Sequence, residues 1–333
     1  MAFLKSNSYT GLIIEATRGT TPATGTPAWI PVDSPQVTPQ QTFLRDEALR
    51  GSPGLLYDMV QGVRHDEYDL KTYLYADTFP NFIRALLGGA DTVTGTTSFT
   101  HVIKVLNAPA TGSQPPSYSL LDFDGANYFL MAGCQAADLT LTFGATAAAD
   151  AATKWIGNPY TSATAASAPF TSLSYTTEHM IPSWDSTVTI GGTSFANVQS
   201  GELKIDRKTA PIFTLGSSSP YVNFAGALEV TGKFTLVVAT NADAFSTGTG
   251  FALGRSPEAV VLTLTDPNDI TSAVNHSLQF TMSQCQFFNP KRTRGKEFTE
   301  IEVEFEAEMN TTDAATGFAP ISFTAVNAVA TAY

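Results

Sequence analysis

Apolar and polar residues alternate in short runs along most of the chain. These runs are rich in Thr, Val and Phe and are separated by Gly, Pro, Asn and Asp; clear cases are residues 139–143, 188–190 and 233–238. A period of two residues places one set of side chains on each face of a strand. The pattern therefore predicts a mainly β protein built from many short strands.

One segment has the period of a helix instead. From Thr78 to Leu87, apolar residues recur at spacings of three and four, which puts them on one helical face. Asp77 or Thr78 is suited to cap the start, and Gly88-Gly89 is suited to end the helix. The sequence therefore predicts one short helix packed across a sheet.

The order of motifs is repeated in the two halves of the chain. Each half contains a strand that begins at a proline, an acidic turn, and a strand that ends in a cysteine, at residues 116–135 and again at 257–286. The turns are expected at Asp124-Gly125 and at Asp266–Asp269. Because the order persists over most of the chain, it indicates a tandem duplication. Chance similarity between β-rich segments is the alternative explanation.

A stretch rich in Ala, Ser and Thr divides the chain near its middle. The part at residues 161–168 has the composition of a surface linker. We therefore expect two β domains, at residues 1–172 and 173–333. Both carry more acidic than basic residues, so neither is a basic domain appended to an acidic one.

Composition narrows the classes of function. The net charge is −12, and only 14% of the residues are charged while 43% are hydrophobic. An acidic chain is unsuited to grip phosphates, although nucleic acid can still pass along its surface. The apolar runs are shorter than a secretory leader or a membrane span needs. We expect a protein made in a reducing cytoplasm, without membrane contact, whose low charge suits burial against partners.

No set of residues predicts catalysis, a metal site or a cofactor. The four histidines are far apart and form no metal-binding pair, and Cys134 and Cys285 alone give neither a disulfide framework nor a metal set. The run Asp122–Gly125 lacks the further ligands of a calcium loop and fits a hairpin turn better. Nucleophile-elbow and nucleotide-binding motifs are missing from the sequence. The expected class is a protein that is not an enzyme and binds no cofactor.

A run of alternating glutamates is the most distinctive local feature. Between Glu300 and Met309 glutamates take every second position, so a strand would carry them on one face and apolar residues on the other. This face is either a solvated outer surface or a surface that must repel a polyanion. The basic stretch before it is most simply an exposed hairpin tip, and alternatively a contact for an acidic neighbouring subunit. The acidic residues are Glu300, Glu302, Glu304, Glu306 and Glu308, and the basic residues are Lys291, Arg292, Arg294 and Lys296.

The segment from Thr42 to Met59 is long and apolar for a loop. Loops of this length are uncommon in compact domains unless they are functional. Its counterpart in the second half of the chain is Arg207–Asn223. The candidate contact residues in the first of these segments are Leu44, Leu49, Gly51, Leu55 and Leu56.

Three parts of the chain together resemble a known family. They are the N-terminal segments Glu15–Pro22 and Trp29–Val32, the segment Arg45–Gly51 with the strand and helix that follow it as far as Gly88-Gly89, and the Gly133-Cys134-Gln135 motif. With these motifs the chain is similar to the tail tube proteins of long, flexible-tailed bacteriophages. The resemblance covers nearly the whole chain, although the second half lacks a counterpart of the helix.

The resemblance implies a fold, an assembly and a role. The fold is a tandem pair of tail-tube-type β-sandwich or barrel units with a short flanking helix. Subunits form rings whose sheets join around a channel, and the rings stack into a virion tail tube that is assembled in the host bacterial cytoplasm. The tube forms around a tape-measure protein, meets tail terminator and distal tail proteins, and conducts the genome. Two units per chain make a trimer with pseudo-sixfold symmetry the expected ring, and a hexamer the alternative.

The resemblance also gives roles to the candidate surfaces. The segment from Thr42 to Met59 is expected to dock on a neighbouring subunit in the adjacent ring. The glutamate face is expected to line the channel, through which DNA passes without specific binding. Two other classes of function stay open. One is another virion β-protein, such as a tail terminator, capsid decoration or adhesion subunit, and the other is a carbohydrate-binding or hydrolytic β-protein.

Overall fold

The computed structural model describes residues 7–23, 25–51, 53–164, 174–238, 257–271, 274–294 and 297–333. Within these ranges the chain is mainly β, as the alternating pattern predicts, with twenty antiparallel strands and one short α-helix. The helix α1 spans Pro80–Leu87, and short 3-10 turns lie at Pro109–Thr111 and Ser183–Asp185. The strands are β1 (Tyr9–Ile14), β2 (Ala28–Ile30), β3 (Gln36–Asp46), β4 (Asp58–Tyr73), β5 (Thr92–Gly95), β6 (Phe99–Lys104), β7 (Tyr118–Phe123), β8 (Asn127–Gly144), β9 (Asp150–Gly157), β10 (Thr161–Thr164), β11 (Thr187–Ile190), β12 (Thr193–Phe195), β13 (Val198–Asp206), β14 (Ala210–Ile212), β15 (Val222–Phe224), β16 (Glu229–Val237), β17 (Glu258–Thr271), β18 (Val274–Thr293), β19 (Glu300–Ala307) and β20 (Ser322–Asn327).

Eight strands form a central sheet in the order β3-β4-β9-β8-β13-β16-β19-β18. Two of them, β8 and β18, are long enough to leave this sheet and continue into a second one. The N-terminal part of β8 lies in the order β2-β1-β7-β8-β10, which we call the first flanking sheet. The N-terminal part of β18 lies in the order β12-β11-β17-β18-β20-β6-β5, the second flanking sheet. The described strands form no closed barrel, and their layout is that of a β-sandwich.

The two halves of the chain repeat the same set of strand pairings. In the first half these are β1–β2, β1–β7, β7–β8, β8–β10, β8–β9, β4–β9 and β3–β4. In the second half they are β11–β12, β11–β17, β17–β18, β18–β20, β18–β19, β16–β19 and β13–β16, matching one to one in chain order. We call these sets the first unit and the second unit. The ladder between β8 and β13 joins them edge to edge in the central sheet.

Even a local irregularity recurs at the same place in both units. In the first unit the β7–β8 ladder changes register between the pairs made by Cys134 and Met131. In the second unit the β17–β18 ladder changes register between the pairs made by Cys285 and Met282. Each thiol lies against the backbone carbonyl of the methionine three residues before it. The two bulges therefore give a fixed point on which the units can be aligned.

A row of aromatic rings packs beneath the central sheet and crosses the junction between the units. Phe143 packs on Phe234 with ring centroids 6.3 Å apart, and Phe234 stacks on Phe305 at 5.0 Å. Gly201 and Gly232 lie beside these rings, where a side chain would collide with them. Burying one such ring contributes about 1.5–3 kcal/mol. The shared row thus ties the two units into one core.

The helix α1 packs its apolar face into the core, as its period predicts. Its start is Pro80 rather than Thr78, and the predicted caps at Asp77 and Thr78 are wrong. Phe79 takes the N-cap position, and no side chain caps the helix. Since Phe79 is almost fully buried, tertiary packing fixes this end of the helix. The predicted end is confirmed, because Gly88 closes the helix with a φ of 79°.

The predicted turns and linker have different outcomes. Asp124 forms the expected hairpin turn, and its carboxylate accepts two backbone N–H groups at 2.7 Å. The turn predicted at Asp266–Asp269 is wrong as the end of the strand. The ladder with β18 is interrupted between Thr265 and Asp269, where the backbone N–H of Asn268 donates to the Asp266 carboxylate at 3.0 Å, and pairing then resumes as far as Thr271. The predicted linker is wrong at Thr161–Thr164, which is strand β10 and pairs with β8. The rest of that linker, residues 165–168, lies outside the described residues.

Candidate assembly surfaces

The central sheet has one buried face and one polar face. Along β19, Ile301, Val303 and Phe305 are buried, while the glutamates between them lie on the opposite side. The same alternation occurs in β4, β9, β8, β13 and β16. We call the second surface the polar face. Its carboxylates are Glu67, Asp69, Asp138, Asp150, Glu202, Asp206, Glu229, Glu300, Glu302, Glu304 and Glu306, and its lysines are Lys71, Lys154, Lys204, Lys233 and Lys291.

Charge is distributed unevenly over the polar face. In the first unit Lys71 pairs with Asp150 at 3.0 Å, and Lys154 pairs with Glu67 at 2.9 Å. In the second unit Lys233 pairs with Glu202 at 2.8 Å, Lys204 pairs with Asp206 at 3.5 Å, and Lys208, which follows β13, pairs with Glu229. The second unit holds seven of the eleven carboxylates but only three of the five lysines of this face. The negative charge is therefore concentrated on the second unit.

Strand β19 carries the predicted glutamates on the polar face. It spans Glu300–Ala307. The sequence predicts Glu308 within this strand, whereas in the structure Glu308 follows it. Lysines lie opposite Glu304 and Glu302 in the ladders with β16 and β18, and uncharged residues lie opposite Glu306. With few cations across from it, β19 is the most negative strip of the sheet.

The basic stretch before β19 is only in part the hairpin tip expected from the sequence. Lys291 and Arg292 lie within β18, because the ladder with β19 extends past them, and Arg294 follows the strand. Lys296 lies outside the described residues. Lys291 stands opposite Glu302 and so shares the polar face with it. A contact between this stretch and a neighbouring subunit stays a prediction.

Partial burial raises the pKa of two aspartates on the polar face. For Asp138 burial is the main cause, opposed by Lys204 and reinforced by Asp206. For Asp69 burial is again the main cause, opposed by the charge of Lys154. The ionised form of each carboxylate is therefore less favourable in the folded chain than in the unfolded chain.

Both ends of the central sheet are open edges in the part of the chain that the structure describes. There β3 pairs with β4 on one side, and the stretch Gln286–Thr293 of β18 pairs with β19 on one side. By the repeat, β8 corresponds to β18 and β13 corresponds to β3, so the β8–β13 ladder is an internal example of these two edges joined. An open edge presents unpaired backbone groups and is a site for pairing with another chain.

The strands β3 and β4 extend beyond the sheet as a hairpin, Thr42–Val60, which we call the first arm. The sequence-based expectation of a loop is partly wrong, because the ladder continues after a bulge as far as Asp46 and Asp58. Arg50 holds the tip: it donates to the Asp46 carboxylate at 2.7 Å and lies 3.7 Å over the ring of Tyr57. The described residues of the arm thus form a hairpin that Arg50 braces near its tip.

The apolar side chains of the first arm are exposed. Leu49 at the tip is 100% exposed, and Gly51 beside it has a φ of 70°, which residues with a side chain rarely adopt. Contiguous exposed apolar surface of this kind marks an interaction site. The exposed residues are Phe43, Leu44, Leu49, Leu55, Leu56, Tyr57, Met59 and Val60.

The hairpin of β14 and β15 forms a second arm, Arg207–Phe224, at the corresponding place in the second unit. It turns back over the β8–β13 junction and lies on the first unit. Asn223, only 1% exposed, donates from Nδ2 to the carbonyl oxygen of Gly133 at 2.8 Å. The backbone N–H of Arg64 donates to the carbonyl oxygen of Ser218 at 2.8 Å. The second arm is therefore held by its own chain.

Glu15 organises the surface beneath the second arm. Its buried carboxylate accepts hydrogen bonds of 2.7 Å from the backbone N–H of Gly133 and from the hydroxyl groups of Ser117 and Ser119. Arg18 donates to a backbone carbonyl of the second arm at 3.0 Å. Sequence reasoning placed both residues in the N-terminal motif but missed this role. The available signal was that Glu15 and Arg18 are the only charged residues in a long uncharged stretch.

The two cysteines are free and buried, and burial raises the pKa of the Cys134 thiol well above its usual range. Among the described residues, no group of three or more His, Cys, Asp and Glu side chains is placed to hold a metal ion. In the same ranges, no helix has both the length and the apolar character needed to cross a membrane.

A family model described as phage tail tube protein matches residues 5–325. The match thus includes both units, both arms and every strand of the central sheet. No curated protein sequence matches the chain.

Proposed function

Since the chain belongs to the phage tail tube protein family, we propose that its copies assemble into rings and that the rings stack into the conduit through which the genome leaves the virion. The family consists of structural proteins of the phage tail. Ring formation, stacking and genome passage are the steps proposed for this chain, and none of them calls for catalysis or a cofactor.

The observation that carries the proposal is the form of the central sheet. It has one buried face, one polar face and an open edge at each end of the described strands. Further copies can extend such a sheet until it closes on itself, with strands tilted around a channel. Closure removes the open edges, which would otherwise be a liability for aggregation.

The repeat supports a particular ring. We take the two units to be the two domains expected at residues 1–172 and 173–333, related by duplication. Each unit supplies four strands to the central sheet, so each chain is a pair of similar wedges. Three chains then form a ring with pseudo-sixfold symmetry. In the alternative, a hexamer, one unit of each chain would line the channel and the other would decorate the outside.

The polar face is proposed to line the channel, with β19 as its most negative strip. DNA carries one negative charge per about 1.7 Å of helix axis. A basic wall would hold DNA through many simultaneous phosphate contacts, whereas an acidic wall repels it from every side and leaves it mobile. The excess of carboxylates over lysines on the polar face supports an acidic wall.

Assembly requires partners as well as copies. We place it in the host bacterial cytoplasm, around a tape-measure protein, with tail terminator and distal tail proteins at the two ends of the tube. The exposed apolar residues of the first arm support a contact with a neighbouring copy. This contact would bury surface that water disfavours in the isolated subunit.

Negative-stain electron microscopy of the concentrated protein tests the proposal, with and without the tape-measure partner. The expected result is stacked rings or tubes with a central channel. A protein that stays monomeric at high concentration, even with the tape-measure partner present, would contradict it. Isolated rings that never stack would point instead to a tail terminator or a capsid decoration protein.

A further inference from the structure

The second arm shows how an arm behaves when another unit lies beside its own. The second unit follows the first in the central sheet, and the second arm crosses the junction between them. Besides the bond from Arg18, its contacts with the first unit include three that a second unit could repeat: the backbone of Arg64 in β4, the carbonyl oxygen of Gly133 at the bulge of β8, and the side chain of Asn158, which follows β9. These three places define the surface on which an arm sits.

The second unit has the corresponding surface. Gln284 precedes Cys285 as Gly133 precedes Cys134, and Glu308 follows β19 as Asn158 follows β9. The backbone N–H of Asn158 donates to the bulge of β8 at 2.9 Å, and that of Glu308 donates to the bulge of β18 at 2.8 Å. The two surfaces are therefore built on matching strands and bulges, although the acceptor in the second unit, Gln284, lies one position later in the alignment than Ala132, the acceptor in the first.

On the second unit this surface is an open groove. Its lining is mixed: the larger apolar residues are Leu228, Phe288, Met309 and Pro320, and the polar residues are Gln286, Glu229, Glu306 and Glu308. Met309 is 61% exposed. When the ladders are aligned on the cysteines, Leu228 falls at the place of Arg64, on which the second arm rests in the first unit. The groove is thus the vacant equivalent of an occupied surface.

The first arm is the counterpart segment, and within the described ranges it makes no comparable contact with the rest of its own chain. It leaves the sheet at β3, whereas the groove lies by β16, β19 and β18 at the opposite end of the sheet. The two therefore cannot meet within one copy. They come together when the β3 edge of one copy lies beside the β18 edge of the next, in the antiparallel arrangement that β13 and β8 have within the chain.

We propose that the first arm of one copy occupies the groove on the second unit of its neighbour in the same ring. The inference rests on the ring proposed above and names its unit-to-unit contact. Every junction in the ring would then be alike, half of them within chains and half between chains. The family resemblance places the arm on the adjacent ring, whereas the repeat places it on the same ring.

Disulfide cross-linking in assembled tubes tests this contact. The native cysteines are buried, so cross-links in the folded tubes come mainly from the added cysteines. Two double variants, Met59→Cys with Met309→Cys and Leu44→Cys with Met309→Cys, cover both strands of the arm. The control pairs Leu215→Cys, at the exposed tip of the second arm, with Met309→Cys. Tubes are oxidised, denatured and run on a non-reducing gel.

The expected result is a ladder from at least one test pair that stops at the number of chains in a ring, because each arm links to one neighbour and the ring closes. The control should give no ladder. A ladder that continues beyond the ring number would show an inter-ring contact and overturn the inference, as would tubes without cross-links from either test pair. Failure of the wild-type protein to form tubes would instead count against the proposed function.

Discussion

The two arms occupy the same place in the two units, yet only the second is held by its own chain. Asn223 of the second arm is 1% exposed and bonded to the first unit, whereas Leu49 of the first arm is 100% exposed. The difference follows from position, because the second unit has a neighbour across the β8–β13 junction and the first unit ends in an open edge. A contact that the chain makes for itself at one junction must come from another copy at the next.

Shortening the arms should separate assembly from folding. Deleting Gly51–Leu55 shortens the first arm at its tip and removes Leu55, which is 65% exposed. We expect subunits with unchanged Tm that form no tubes. Deleting Gly216–Ser219 from the second arm removes the hydrogen bond between Arg64 and Ser218 and should lower the Tm. Thermal melts and negative-stain images of both variants measure this. Normal tubes from the first deletion would refute the role of the first arm.

The polar faces of the two units differ in charge, because the second unit carries more of the carboxylates. Replacing Glu302 and Glu304 with Lys reverses the charge at the middle of the most negative strip. Both substituted side chains remain on the polar face, and neither residue lines the groove proposed for the first arm. If this face lines the channel, tubes still form but DNA ejection slows markedly, most of all at low salt, where screening is weakest. Single-particle ejection assays over a range of salt measure the rate.

The single variant Glu67→Lys, on the first unit, changes the charge of the polar face by half as much and should slow ejection less. Unchanged kinetics from intact tubes that carry lysine at both Glu302 and Glu304 would contradict the placement of β19 in the channel wall.

The anchoring of the second arm should be visible in subunit stability. Asn223→Ala leaves the buried carbonyl oxygen of Gly133 without its donor from the arm, at a cost of about 1–3 kcal/mol. Leu215→Ala, at the fully exposed tip, should change stability by less than about 0.5 kcal/mol. Urea unfolding of the unassembled subunit compares the two. Equal effects would mean that the arm is not held through Asn223.

The smallest expected effect concerns Asp138, beside the junction of the units. Burial raises its pKa in the folded state, so its ionisation lowers stability as pH rises from the unfolded value towards the folded one. Asp138→Asn removes this penalty. We expect a gain of up to about 0.5 kcal/mol at pH 7 and none at pH 3, where the carboxyl group is protonated in both states. Urea midpoints at the two pH values test the sign, and a loss at pH 7 would contradict it.

Local periodicity explains what the sequence predicted well. The alternation in β19 and the apolar face of α1 are properties of a few consecutive residues, and both elements are present. The repeated cysteine motifs were also visible in sequence, since Cys134 and Cys285 each follow a methionine by three residues. Such signals need no knowledge of distant contacts.

Long-range contacts explain what sequence reasoning missed. Asn223 donates a hydrogen bond to Gly133, 90 positions away in sequence, and neither residue type predicts this contact. Nothing in the alternation along β8 or β18 marks the point at which the strand passes from one sheet to another. The acidic run at Asp266–Asp269 has turn chemistry and interrupts the ladder, yet pairing with β18 resumes beyond it and the run stays within β17. In each case long-range tertiary contacts outweighed the conformational preference of the local sequence.

The central claim is that the chain builds a ring by repeating its internal junction, and a cryo-electron microscopy map of tubes from the wild-type protein tests it most directly. The account predicts three chains per ring, with eight strands of each chain continuous with those of its neighbours, the polar face towards the channel and the first arm seated by β18 of the next copy. Six equivalent chains per ring, or a polar face turned away from the channel, would contradict it.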